Sequence, residues 1–152
     1  MAIFLVQHGK CLSKDEDPEK GLSKTGEEQT RLIAGVADNY KVPAAKIIHS
    51  GKKRARQTAA ILKETLGVIP DIEQADGISP MDDVILFSQQ IRPEDNLMVV
   101  GHLPFMERPV GYLTAGDKNK RVYKFQNSGI VCLDSEKEGD WYIKWTLNPE
   151  VS

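Results

Sequence analysis

Apolar positions along the chain fall into short unbroken runs, one from Ala2 to Val6 and another from Leu97 to Val100. Such runs, as opposed to strict alternation, suit strands covered on both faces of a parallel sheet. A third run, Lys46-Ile47-Ile48-His49, has the same character. Between the runs the apolar spacing becomes helical. Ser23 or Thr25 can cap a helix through about Asn39, with Leu32, Ile33, Val36 and Ala37 as its apolar stripe, and Pro43 bars its continuation. A second helix is predicted from about Lys52 to Leu66, with Ala55, Ala59, Leu62 and Leu66 on one face and Gly67 as its C-cap. Ser79-Pro80-Met81-Asp82 has the form of an N-cap, a first-turn proline and an acid, starting a helix that reaches about Ile91. Pro104 opens another helix toward Leu113, bent near Pro109. Two late strand-like runs, Arg121 to Leu133 around Asn127-Ser128-Gly129 and Trp141 to Leu147, complete the pattern. Trp141 and Trp145 share one face by strand spacing and read as packing.

Strands alternating with helices predict an α/β fold. The expectation is a single three-layer α/β/α domain over residues 1–152, with a mostly parallel central sheet and an antiparallel edge. A chain of 152 residues fits one domain. Hydrophobic residues at 40%, charged residues at 28% and a formal net charge of -2 carry no bias toward nucleic acid or an anionic membrane, so any basic site is local. No apolar run approaches the roughly 20 residues that cross a bilayer. Cys11 and Cys132 form neither a CxxC pair nor a disulfide framework, and with no secretory leader at the start the cytoplasm is the expected compartment.

The chemistry sits at the ends of these runs. The first meets Gln7-His8-Gly9 and the Leu97 run meets Gly101-His102. If both strands lie in one parallel sheet, the two imidazoles come to the same edge, where open α/β sheets bind ligands. The third run leads into Ser50-Gly51-Lys52-Lys53-Arg54-Ala55-Arg56-Gln57-Thr58, a basic stretch opening a helix, and helix N-termini and arginines both suit phosphate. Read alone, His8 is either a nucleophile or a hydrogen-bonded strand-end histidine, and His102 is either a charge-stabilising donor or a cap ahead of Pro104. Arg56 turns away from Arg54 by helical rotation and reads, with Lys52 and Lys53, as a solvated charge. His49 reads as structural. Neither cysteine starts a C-x5-R loop, no GxxxxGK[ST] loop exists, and the histidines lack zinc-ligand spacing, so no metal is expected.

Taken in order, Leu5-Val6-Gln7-His8-Gly9, Ser50-x-x-x-Arg54-Ala55-x-Gln57-Thr58 and Val100-Gly101-His102-Leu103-Pro104 resemble the motifs of the histidine phosphatase superfamily, which also contains the cofactor-dependent phosphoglycerate mutases. The short length, His-Leu-Pro after the fourth strand and the Asn127-Ser128-Gly129-Ile130 turn are most similar to its small SixA-type phosphohistidine phosphatases. The resemblance implies a phosphatase needing no cofactor, with His8 as nucleophile and Gln7, His8, Arg54 and His102 around the phosphate. It also implies Asp83 as the candidate general acid, where Asp82 reads as a helix cap. One position departs from the pattern: the family's first motif is Arg-His-Gly, and Gln7 stands in place of the arginine. Lys10, two residues past His8, is the candidate to restore that charge, unless strand-like geometry sends it to solvent. The implied substrate is a phosphohistidine-bearing protein, since no long insertion is present to build a lid. The alternatives are a phosphate-binding or regulatory module with weak or no turnover, because of Gln7, and a phosphomonoesterase or mutase acting on a small phosphoester.

Overall fold

A computed structural model of the chain describes residues 1–67 and 72–151; residues 68–71 and 152 lie outside that description. Six strands form one sheet: β1 (Ile3–Gln7), β2 (Lys46–His49), β3 (Ile72–Gln74), β4 (Leu97–Gly101), β5 (Ile130–Ser135) and β6 (Trp141–Leu147). Their order is β3-β2-β4-β1-β5-β6. β1, β2, β3 and β4 are mutually parallel, while β5 runs antiparallel to β1 and β6 antiparallel to β5. This is the expected single α/β domain with an antiparallel edge. Gln7 stands opposite Gly101 and His49 opposite Val100, so β1, β2 and β4 end side by side.

Helices α1 (Lys24–Asn39) and α2 (Lys53–Leu66) cover one face of the sheet, and α3 (Val84–Gln90) and α4 (Glu107–Ala115) the other. The unbroken apolar runs are explained by this two-sided burial. Phe4 and Val6 of β1 pack toward α1 and α2, while Ile3 and Leu5 pack toward α3 and α4. Ser23 caps α1 by accepting the Gly26 N–H, and Gly67 closes α2 in the left-handed conformation at φ 66°. Among the described residues, no helix is long and apolar enough to cross a membrane.

Several elements differ from their sequence expectation. The buried stripe of α1 is Thr30, Ile33, Ala34 and Ala37, rotated so that Leu32 is left 55% exposed. The third helix starts four residues later than the Ser79-Pro80 signal, because Asp82 folds back on Ser79 N–H at 2.8 Å and makes a turn, leaving Asp83 as the cap. Pro109 does not bend α4. The helix begins at Glu107, so the proline occupies its first turn, where an N–H has no intrahelical acceptor. β5 begins only at Ile130, and the preceding residues form turns closed by Ser128 in the left-handed region at φ 66°. The two tryptophans lie on opposite faces of β6. A register shift at Cys132/Leu133 flips the alternation, so Trp145 packs on the α1 and α2 side and Trp141 on the other.

Candidate active site

His8 leaves the sheet where β1 ends, its N–H still donating to Gly101 O at 3.0 Å. That ladder bond sets it beside His102, the residue after β4, with ring centroids 4.9 Å apart. Two antiparallel-edge groups steady the turn from behind: the His8 carbonyl accepts Asn127 Nδ2 at 2.9 Å and Ser128 N–H at 3.3 Å. Gly9 follows at a crowded point, where an added Cβ would lie 2.9 Å from Thr30 Oγ1 and 3.0 Å from Leu22 Cδ2. Its N–H donates to Thr58 Oγ1 at 3.0 Å, and Thr58 in turn donates to Arg54 O at 2.8 Å. The β1 exit is thus tied to the first turns of α2, which present Arg54.

His8, Arg54 and His102 therefore converge at the carboxyl ends of β1 and β4. Arg54 is half-buried, and its guanidinium has no carboxylate partner among the described residues. His8 Nδ1 lies 2.7 Å from the Gly9 carbonyl, which only accepts, so Nδ1 carries the proton and Nε2 holds a free lone pair. Burial pushes the His8 pKa down to about 4, with Arg54 and Lys20 adding to the fall against the opposing Gly9 bond. His102 is lowered to about 3 by burial first, then by His8, Arg54 and Lys52. Both imidazoles are neutral at pH 7. Among the described residues, no group of three or more His, Cys, Asp and Glu side chains is arranged to hold a metal ion.

The remaining sequence candidates fall outside this cluster or at its rim. Gln7 is buried at the end of β1, and its Oε1 has no hydrogen-bond donor. Asp83 is engaged elsewhere: its carboxylate accepts Ile85 N–H at 2.9 Å and Leu86 N–H at 3.2 Å, the work of a helix cap. It walls a cavity of about 490 Å³, with Asp76, Ser79 and Asp82, that opens beside Ser50. Lys10, the candidate to restore the charge of an arginine at position 7, is paired with Glu150 at 3.0 Å on the surface. His49 is structural, its Nδ1 accepting Gly51 N–H at 3.0 Å as β2 ends. Arg56 is exposed, as helical rotation predicts.

Ser50, quoted in the motif without a role, lies 2.5 Å from His102 Nε2, while His102 Nδ1 is buried with no partner. Gln57 and Thr58 also had no assigned role. Their signal was the spacing from Arg54, which puts Thr58 one turn above it and Gln57 on the side where Leu22 N–H donates to Oε1 at 2.7 Å. Gly26 escaped notice as well, although an added Cβ would lie 2.0 Å from Lys10 O, so α1 and the loop after His8 touch backbone to backbone.

The profile of the histidine phosphatase superfamily (branch 1) matches residues 3–82, the stretch that contains His8 and Arg54. The chain belongs to this superfamily. Phosphohistidine phosphatase SixA of Escherichia coli (strain K12) is 25% identical over 155 residues, covering 98% of this chain and 94% of that protein. A structure of the protein histidine phosphatase SixA complexed with tungstate superposes with a TM-score of 0.84 at 24% identity, covering 98% of this chain and 97% of the other. A mycobacterial glucosyl-3-phosphoglycerate phosphatase complexed with VO3 shares the histidine phosphatase fold more distantly. Its TM-score is 0.68 at 13% identity, covering 95% of this chain and 97% of the other.

Proposed function

We propose that the protein is a metal-independent phosphatase that works through a phosphohistidine on His8 and acts on phosphohistidine-bearing proteins. The observation that carries this reading is the Nδ1–H···O=C bond from His8 to Gly9, which leaves Nε2 unprotonated and aimed away from the backbone. In the first step the Nε2 lone pair attacks phosphorus, a P–N bond forms on His8, and the bond to the leaving group breaks with its electron pair. Phosphorylated imidazole is cationic when Nδ1 keeps its proton, and the Gly9 carbonyl stabilises that form. Water then attacks phosphorus, the bond to Nε2 breaks and returns its pair to His8, and inorganic phosphate leaves with the oxygen that water supplied. Arg54 and His102 stabilise charge on the nonbridging oxygens in both steps.

The substrate class is supported by two things, the similarity to E. coli SixA and the occupation of Asp83 as a helix cap. A leaving imidazole needs less protonation than an alkoxide, so a phosphohistidine substrate tolerates the lack of a strong acid. Rapid quench with a labelled phosphohistidine protein tests the reading. Wild-type protein is expected to carry acid-labile, base-stable label, and His8→Ala to lose both label and turnover while staying folded. Turnover by His8→Ala within tenfold of wild type would sink the nucleophile. Labelling by a small phosphoester but not by phosphoprotein would move the substrate to that class, and binding of phosphate without label would leave a binding module.

A further inference from the structure

The loop that runs from Lys10 to Leu22 holds a lysine that none of its own contacts accounts for. Lys20 is half-buried, adopts a left-handed backbone at φ 52°, and its ammonium has no carboxylate partner among the described residues. Neighbouring cations are occupied, Lys10 by Glu150 at 3.0 Å and Lys53 by Asp17 at 2.8 Å. The backbone at Lys20 is fixed around the same aspartate. Lys20 N–H donates to Asp17 O at 2.8 Å, and the Asp17 carboxylate accepts Glu19 N–H and Gly21 N–H at 3.0 Å each. Leu22, next in line, is bound to Gln57 of α2 on one side and crowds Gly9 on the other. The lysine is therefore mounted between the helix that carries Arg54 and the residue that follows His8. A half-buried lysine without a carboxylate partner, on a left-handed non-glycine residue pinned beside the site, is placed to meet an incoming anion.

We propose that Lys20 binds the phosphoryl group at His8, completing with Arg54 the positive charge of a site whose strand-end residue, Gln7, is neutral. This rests on the phosphatase reading of the site. The field of Lys20 already reaches His8, where it helps to hold the imidazole neutral, and that of Lys52 reaches His102. A compact ammonium on a flexible stem suits a phosphoryl group that shifts between substrate, His8 and water, and Arg54 supplies the fixed fork.

Inorganic phosphate is the probe, because its binding is read without turnover. In Lys20→Met, which keeps the aliphatic stem, the phosphate dissociation constant should rise about tenfold and kcat/KM on a phosphohistidine protein should fall by a similar factor, the size of one charged hydrogen bond. Lys20→Arg should restore both, and Lys14→Met, exposed on the same loop, should change neither. Added salt should weaken phosphate binding more steeply in the wild type than in Lys20→Met. Lys20→Gly relieves the positive φ while removing the charge, so a folding defect in the methionine variant does not obscure the result. Unchanged phosphate affinity in both variants overturns the assignment, even where wild-type protein forms phospho-His8. Weakened affinity in both, with no phosphoenzyme in the wild type, keeps Lys20 as an anion residue and overturns only the phosphatase reading.

Discussion

At the scale of single residues, the site is a pair of neutral imidazoles with cations arranged around them, and its weakest point is Gln7. An arginine there would offer a charged fork of donors, whereas the glutamine amide offers at most two neutral ones, and its Oε1 is buried without a donor. Replacing a neutral by a charged contact is worth on the order of 1–2 kcal/mol, or roughly ten- to thirtyfold in rate if it strengthens in the transition state. Gln7→Arg is accordingly expected to raise kcat/KM by about tenfold on a generic phosphoester. An unchanged or lower rate would mean that Gln7 is adapted to this protein's own ligand. His8, Arg54 and His102 were legible in the sequence because each ends or opens an element and belongs to an ordered motif. The Ser50–His102 and Thr58–Gly9 contacts were not, since they join positions 52 and 49 apart that meet only once the sheet has formed.

Elements were read most surely where a period and a cap agreed, as in α2 with Gly67 behind it, and least surely where capping signals competed. Ser79, Asp82 and Asp83 all suit an N-cap, and the structure uses two of them: Asp82 closes a turn on Ser79 and Asp83 starts α3. β3, with three residues and a mostly exposed pattern, had too little periodicity to be seen. The bulge in β5 and β6 is likewise invisible to a rule of strict alternation. Asp83 gives this scale its test, because a cap and a general acid respond differently to one substitution. Asp83→Ser keeps a capping oxygen but no titratable group, so kcat should stay within about threefold. Asp83→Ala should cost about 1 kcal/mol in denaturant unfolding, again with little change in kcat. A hundredfold loss of kcat in a stable Asp83→Ser variant would restore the acid, whose contribution is typically ~10²–10⁴.

For the whole molecule, the sheet order makes the site and charges it an energetic toll. Parallel β1, β2 and β4 end together only because each crossover passes through a helix that must also be packed, and that packing buries His102 and half-buries His8. Their depressed pKa values become a stability statement. The unfolded chain binds a proton on His8 near pH 6.5, while the folded chain does so only at about pH 4. Between those limits the unfolded state holds more protons, so the stability that His8 contributes is full above about pH 6.5, falls as the pH drops and levels off near pH 4, while His102 carries the same loss on to about pH 3. Asp17 acts in the same direction but lower, between its ordinary 3.8 and about 2, and leaves this window clear. The advantage of wild type over His8→Gln in Tm should therefore shrink, or reverse, as the pH is lowered through the window. Saturating phosphate should flatten the wild-type slope, because an anion beside the imidazoles favours their charged forms and raises the folded pKa toward the unfolded one. A difference between the two proteins that stays constant from pH 6.5 to pH 4 would mean that His8 titrates as in water, and would remove the burial that keeps its Nε2 free to attack.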